Sequence, residues 1–345
     1  MTTTEASRPV TAPRVARGGS LLRARELGIL IVILVVFGVT TLRTPHFADA
    51  ASVQELLSGA AIYAILCAGE TLVIVTRNYD LSVGSVVGLS AYVIGGIFMH
   101  DPRFPILLGF VVGIAIGAVV GAVNGFITVF FRVPSLVVTL AMLYVVRGID
   151  GQIINGVQIN PDNVPRSFTY VGYKSLAGVP WIAIIAAIVI VAVGYAMRTF
   201  RSGRDLYAIG SNPDAAALAG VPAARRVFTA FLVSGILAGF CGALFLSQYA
   251  EVDVTAGLGF ELTVIAGVVV GGVAIFGGSG TVFGAALGAL LLNTINQALV
   301  AARVASFWDE AVAGALMLAA ISFDRWLATR VSRRLRTAEG AHRDV

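Results

Sequence analysis

The chain has 345 residues, of which 57% are apolar and only 12% are charged, and its mean hydropathy is +0.89. Soluble domains carry about a quarter charged residues, so a soluble globular protein is excluded and the apolar excess must face lipid. The net charge of +5 comes from 23 arginines and one lysine that lie between apolar runs. This distribution is typical of membrane topology rather than of a nucleic-acid-binding face.

A transmembrane helix needs about 20 apolar residues. Ten runs approach or exceed that length, in chain order Leu27–Leu42, Leu56–Val75, Leu81–Met99, Phe104–Phe131, Leu136–Ile154, Val179–Met197, Val227–Tyr249, Leu262–Phe276, Val282–Val300 and Ala311–Leu327. We therefore predict an all-α integral membrane protein with about ten transmembrane helices in residues 27–327. Residues 1–26 are predicted to form a disordered, uncleaved cytoplasmic arm, and residues 328–345 a basic cytoplasmic tail.

The arginines predict the orientation. Eighteen of the 24 basic residues fall in the segments that ten spans place on the side of the N-terminus. Basic residues accumulate on the cytoplasmic side of membrane proteins, so both termini are predicted to be cytoplasmic, in the bacterial inner membrane. The opposite side carries six basic residues, Arg147 counted among them, and the acidic loop residues. Those outer loops could receive a soluble partner or could simply be solvated.

Several kinds of chemistry have no sequence support. The only lysine, Lys174, follows no phosphate-binding glycine loop, and the histidines His46, His100 and His342 are scattered. The chain also has no His/Cys cluster for zinc and no GxSxG or HExxH motif. We predict a non-catalytic subunit without a metal or cofactor of its own.

A polar segment interrupts the apolar pattern between the second and third runs. Glu70 lies within an apolar helix, where it either lines or gates a pathway or makes a packing hydrogen bond. Arg77, Asn78, Asp80 and Ser82 are predicted to form a structural turn. In this turn Asp80 is expected to be the N-cap of the third helix, with Arg77 as a possible partner.

The loop at residues 198–226 contains a short helix with complete end signals. Asn212 is a favoured N-cap, Pro213 suits the first helical position, Asp214 complements the helix dipole, and Gly220 suits the end. The helix either docks on a cytoplasmic motor, the reading we favour, or is an inert connector. The docking residues would also include Ala216, Ala217 and Leu218, with Arg204, Asp205, Tyr207 and Gly210 as support.

The segment 257–288 is rich in glycine, which permits close helix crossings and a tight turn at 277–280. Beyond it, Asn293, Asn296 and Gln297 form a polar stripe on the ninth run. Together with Asn124 on the fourth run, the stripe either lines a pathway for a hydroxylated solute or joins helices by hydrogen bonds.

Four segments carry a family resemblance. They are TRNYDLSVGS from residue 76, RVPSLVVTLAMLYVVRGI from 132, GRDLYAIGSNPDAAALAGV from 203 and GGSGTVFGAALGALLLNTINQAL from 277. In this order they resemble permease subunits of bacterial ABC importers for monosaccharides and the sugar-like signal autoinducer-2. The resemblance spans about residues 27–327.

The resemblance implies a ten-helix fold similar to that of the vitamin B12 importer. It also implies a second permease subunit, identical or a sister chain, and a periplasmic or lipid-anchored sugar-binding protein. A cytoplasmic ATPase with two fused cassettes would bind ATP and Mg, and the helix at 212–220 would be the coupling helix that it moves.

Asn78 and the segment SFWDEAVAGALMLAAISFD at 306–324 resemble the rhamnose and autoinducer-2 branch. The residues themselves leave two other classes of membrane protein as alternatives. An ion-driven secondary transporter would need intramembrane ionisable residues, for which Glu70 and Glu261 are the candidates. A membrane enzyme would need a catalytic cluster, which the sequence does not show.

Overall fold

The structure is a computed structural model that describes residues 18–304, 308, 311–319 and 322, with side chains from residue 25 onward. Within these residues, eight helices are long and apolar enough to cross a membrane. They are α1 (Gly18–Arg43), α2 (Ala50–Ile74), α3 (Val83–His100), α4 (Ile106–Phe130), α5 (Ser135–Ile154), α7 (Trp181–Thr199), α10 (Ala223–Tyr249) and α12 (Val282–Ala301). They match eight of the ten predicted runs, and the protein is an all-α, multi-pass membrane protein.

The shorter elements connect these spans. Two 3₁₀ helices cover Pro45–Ala48 and Pro161–Asn163, and an antiparallel hairpin pairs β1 (Ser175–Leu176) with β2 (Val179–Pro180). The remaining short helices are α6 (Arg166–Tyr173), α8 (Arg201–Ser211), α9 (Pro213–Leu218) and α11 (Phe260–Val270).

Helix α2 forms the centre of the bundle. Its side chains from Ile65 to Ala68 and from Val73 to Ile74 are buried, and it packs against α7, α10, α11 and α12. Helices α1, α4, α5 and α7 lie at the periphery and expose large apolar side chains, among them Leu34, Leu107 and Ile188. This inversion of the usual soluble pattern is what a lipid-facing surface requires.

Helices α4 and α10 approach each other most closely at glycines. Gly113, Gly117 and Gly121 of α4 face Gly235 and Gly239 of α10. A Cβ atom added at Gly117 would overlap the carbonyl oxygen of Gly235, and one at Gly239 would overlap that of Gly113. Because lipid offers no hydrophobic drive for helix pairing, backbone approach of this kind supplies the packing contacts. We call this crossing the glycine seam.

The eighth predicted run is not one full-length helix. Helix α11 ends at Val270, where Gly271 packs on the Gly284 backbone of α12 and Gly272 adopts φ 101°, in the left-handed region that favours glycine. The chain nevertheless passes from one end of the bundle to the other. The segment that makes this passage starts where Val252 pairs with Ile159. It ends where the Gly278 N–H donates to the Val75 carbonyl oxygen.

Other predictions differ from the structure or fall outside it. The arm predicted to be disordered up to residue 26 becomes helical at Gly18, where α1 begins. Of the tenth predicted span, residues 311–319 are helical and most of the rest lies outside the described residues, as do residues 1–17 and the predicted tail. The orientation of the termini stays a prediction.

Candidate functional site: the coupling loop and the buried polar clusters

Helix α8 anchors the predicted coupling loop to the bundle. It is amphipathic, and its buried face carries Asp205, Leu206 and Ile209. The Asp205 carboxylate accepts hydrogen bonds from Arg226 of α10 at 2.8 and 2.9 Å. Burial raises the pKa of the Tyr207 hydroxyl, which donates to the Gly280 carbonyl oxygen at 3.0 Å. The middle of α8 is therefore fixed to α10 and to the segment before α12.

Three chain segments meet at the end of α8. Gly210 lies so close to α2 that a Cβ atom there would overlap the Val75 carbonyl oxygen. The Arg77 guanidinium donates to the carbonyl oxygens of Gly210 at 2.6 Å and Ser211 at 3.0 Å, and so satisfies the helix end. Gly278 packs on the Ser211 backbone from the other side. A displacement of α8 is thus transmitted directly to α2 and to the segment before α12.

Helix α9 has the end signals that the sequence predicts. The Asn212 side chain accepts the Ala215 N–H at 3.0 Å, Pro213 opens the helix, and Gly220 follows it with φ 73°. Only Ala216 is buried, and Leu218 is 92% exposed. An isolated leucine held out on a fixed, capped helix is available to a partner surface. Arg204 supports the loop by donating to the Thr199 carbonyl oxygen.

The second feature is a buried set of side chains that we call the Glu70 cluster: Glu70, Asp80, Ser82 and Asn124, all at most 1% exposed. Glu70 Oε1 accepts the Asp80 N–H at 3.0 Å, and Asp80 Oδ1 accepts the N–H and O–H of Ser82 at 3.0 and 2.6 Å. Asn124 Nδ2 donates to Ser82 Oγ at 2.8 Å and to Asp80 Oδ1 at 3.4 Å. The cluster joins α2, α4 and the start of α3.

This geometry corrects two expectations for the turn. Ser82, not Asp80, occupies the N-cap position of α3. The Asp80 carboxylate instead accepts hydrogen bonds from Ser82 and Asn124. Arg77 is not the partner of Asp80, because its φ of 66° redirects the chain and its guanidinium reaches α8. Asn78 donates to Thr76. The turn exists as predicted, but Arg77 and Asp80 also make contacts with distant segments.

The predicted pathway residues do not form one surface. Glu70 and Asn124 are fully buried and hydrogen-bonded between helices in this conformation. Asn293 is buried and donates to the Leu56 carbonyl oxygen of α2 at 2.9 Å, near the opposite end of that helix. Asn296 is exposed and Gln297 is half-buried. The polar stripe therefore splits, because α2 covers one of its edges.

A third group, the Arg147 cluster, was missed by the sequence reasoning, which placed Arg147 in an outer loop. Arg147 and Asp150 lie on α5, and Asp150 is 1% exposed. Arg147 donates to the Ala256 carbonyl oxygen at 2.6 Å and attracts the carboxylates of Asp150 and Glu261. Arg147 Nε and Nη2 and both Asp150 oxygens make no hydrogen bond within the described residues. The i, i+3 spacing inside an apolar run was the available signal.

No metal site emerges from the described part of the chain, where three or more His, Cys, Asp or Glu side chains never come together. Residues 52–321 match the model of the family described as "Branched-chain amino acid transport system / permease component". The chain belongs to this permease family. It is thus a transport permease of the bacterial inner membrane, and the loop and clusters above are parts of a transport subunit.

Curated relatives align along nearly the whole chain. The "Autoinducer 2 import system permease protein LsrC" of Photorhabdus laumondii is 32% identical over 90% of this chain and 92% of its own length. The protein of the same name from Enterobacter sp. is 34% identical over 92% and 91%. The "L-arabinose ABC transporter permease protein AraH" of Azospirillum brasilense is 31% identical over 91% and 92%. A comparison with the solved structures gave no significant match.

Proposed function

We propose that this chain is the transmembrane permease subunit of an ATP-driven ABC importer for a monosaccharide or a sugar-like solute. Its relatives are named as permeases for autoinducer-2 and L-arabinose, and the sequence segments resemble the rhamnose and autoinducer-2 branch. The ATP and Mg would be bound by a separate double-cassette ATPase. The other partners would be a second permease chain and an extracytoplasmic sugar-binding protein.

The observation that supports this function most directly is the construction of the α8–α9 loop. Helix α9 exposes Asp214, Ala217 and Leu218. Helix α8 is fixed to the bundle by the Asp205–Arg226 ion pair and by Arg77. A loop with no mechanical task would need neither the long-range anchors nor an exposed leucine. The arrangement suits a contact through which an ATPase moves the spanning helices.

The substitution Ala217→Arg tests the docking role. Its side chain faces solvent, so the variant should insert and fold normally, but bulk and charge would spoil the contact with the ATPase. We expect loss of ATP-driven uptake and loss of the ATPase in a pull-down. The matched control is Ala302→Arg, at an exposed alanine at the C-terminal end of α12. This variant should keep both ATP-driven uptake and association with the ATPase. Retained ATPase association in Ala217→Arg would contradict the docking assignment.

The whole function is tested by purifying the tagged chain from its native membrane in mild detergent and identifying the co-purifying proteins by mass spectrometry. Recovery of a double-cassette ATPase, with or without a second permease chain, is the expected result. Uptake is then measured in proteoliposomes with and without ATP. Sugar uptake driven by a sodium or proton gradient without ATP would identify a secondary transporter, and ATP-driven uptake of leucine instead of sugar would replace the substrate class.

A further inference from the structure

A cleft of about 360 Å³ opens at the end of the bundle opposite to the α8–α9 loop. It lies between the first turns of α2, the end of α6, the β1–β2 hairpin and the end of α10. Small-molecule sites commonly have volumes of about 300–1,000 Å³, so the cleft can hold one sugar-sized ring.

The elements around the cleft are joined by close backbone packing and by hydrogen bonds. Gly172 of α6 lies directly on α10, where a Cβ atom would overlap the Ser247 carbonyl oxygen. Ser247 Oγ donates to the Phe168 carbonyl oxygen at 2.8 Å, which fixes α6 on α10. Gln54 Nε2 donates to the Gly178 carbonyl oxygen at 3.3 Å and so ties α2 to the hairpin. A site preorganised in this way loses little entropy on binding.

The lining of the cleft brings polar side chains and aromatic rings together. Gln54, Glu55, Ser58 and Gln248 line the cleft together with Tyr173 and Tyr249. Gln248 Oε1 is buried and accepts no hydrogen bond within the described residues, and Ser58 is only 3% exposed. Side-chain amides and hydroxyls can both donate hydrogen bonds to the hydroxyl groups of a ligand and accept hydrogen bonds from them.

The charges around the cleft select against anions. Among the described residues, no arginine or lysine lines it, whereas Glu55 does. The chain's one lysine, Lys174, adjoins the cleft in sequence, but its ammonium group lies 4.5 Å from the Tyr170 ring centre and 5.7 Å from that of Trp181. A phosphate headgroup would therefore meet a carboxylate and no cation. Amides, hydroxyls and one carboxylate beside aromatic rings suit a neutral polyhydroxylated ligand.

We infer that this cleft is a binding site for a neutral monosaccharide, with Gln54, Ser58 and Gln248 among its polar lining residues. The site lies away from the Glu70 cluster and at the end of the bundle that the arginine distribution places outside. That the bound sugar is also the transported solute rests on the proposed function, whereas binding itself does not.

The test is saturation-transfer NMR on the purified chain in nanodiscs, without ATPase or binding protein. The probes are L-arabinose, D-ribose, L-rhamnose and D-galactose, with L-leucine as the non-sugar probe. We expect transfer to ring protons of at least one sugar and none to leucine. Gln248→Leu, which keeps the volume and removes the amide, should weaken that binding about tenfold. Ser58→Ala supplies a milder second variant whose fold is secure.

The matched control is Gln152→Leu, an exposed glutamine at the end of α5 outside the cleft, which should bind sugar like the parent chain. Absence of transfer from all four sugars, or equal transfer in Gln248→Leu and Ser58→Ala, would overturn the inference. Sugar uptake by the assembled, ATP-supplied system separates the two proposals. Uptake without binding would overturn only the assignment of the cleft as a sugar site. Binding without ATP-driven uptake would overturn only the proposed function.

Discussion

The two polar clusters inside the bundle use their hydrogen-bonding groups to different extents. In the Glu70 cluster, Asp80 Oδ1 accepts from three donors and every member shares at least one hydrogen bond with another member. In the Arg147 cluster, Arg147 donates to a backbone carbonyl oxygen, and both oxygens of Asp150 lack a donor within the described residues. The first is joined by directional bonds, and the second largely by charge.

The difference has a mechanical meaning. A hydrogen bond weakens steeply when its angle or distance changes, whereas attraction between charges falls slowly with distance. The Glu70 cluster therefore holds the residue 79–82 segment in one arrangement against α2 and α4. The Arg147 cluster keeps α5 near α11 while tolerating small shifts between them. Burial of polar groups alone would not distinguish these roles, but the use of their atoms does.

The largest expected effect is at Asp80. Asp80→Ala removes the acceptor of the Ser82 N–H and O–H, for which the described residues offer no other acceptor, and one of the two acceptors of the Asn124 amide. We expect a loss of about 3 kcal/mol in the free energy of unfolding, measured by thermal denaturation in detergent. Asp162→Ala, at an exposed loop position, is the control. A loss below about 1 kcal/mol would show that the cluster is not a structural joint.

An intermediate effect is expected at Arg147. Arg147→Met leaves the Ala256 carbonyl oxygen without its donor and the Asp150 and Glu261 carboxylates without their cation. We expect destabilisation by about 2 kcal/mol, because the site is half-buried. If charge dominates, adding Glu261→Gln to this variant should recover part of the loss. Strictly additive losses in the double-mutant cycle would refute the charge-based description.

The smallest effect is expected at Asp150. Asp150→Ala removes a buried carboxylate that makes no hydrogen bond, so the lost attraction to Arg147 is offset by the relieved cost of desolvation. The free energy of unfolding should change by less than about 1 kcal/mol in the same denaturation assay. A loss as large as that of Asp80→Ala would erase the contrast between the two clusters.

Local signals predicted the local structure correctly. The ends of α9 follow from Asn212, Pro213 and Gly220, because a cap and its helix lie within a few residues of one another. Eight of the ten predicted apolar runs match spans in the structure, since burial in lipid depends mainly on composition.

Contacts between distant segments were not predictable from one sequence. The local sequence predicts Asp80 as an N-cap. In the structure its carboxylate also accepts a hydrogen bond from Asn124, which lies on another helix. Arg77 reaches residues more than a hundred positions away, and the split of the Asn293–Gln297 stripe depends on where α2 packs. The cleft combines four elements, and no single segment of the sequence carries its pattern.

The glycine seam also imposes an order on biosynthesis. Its two halves, around Gly117 and Gly235, are about 120 residues apart, and ribosomes add about 5–20 residues per second. During the roughly ten seconds between their emergence, the glycine face of α4 has no helix to close on and must be covered by lipid or by the insertion machinery. Assembly of the bundle core therefore awaits α10, and a chain stalled before that helix would present an open face as a target for membrane proteases.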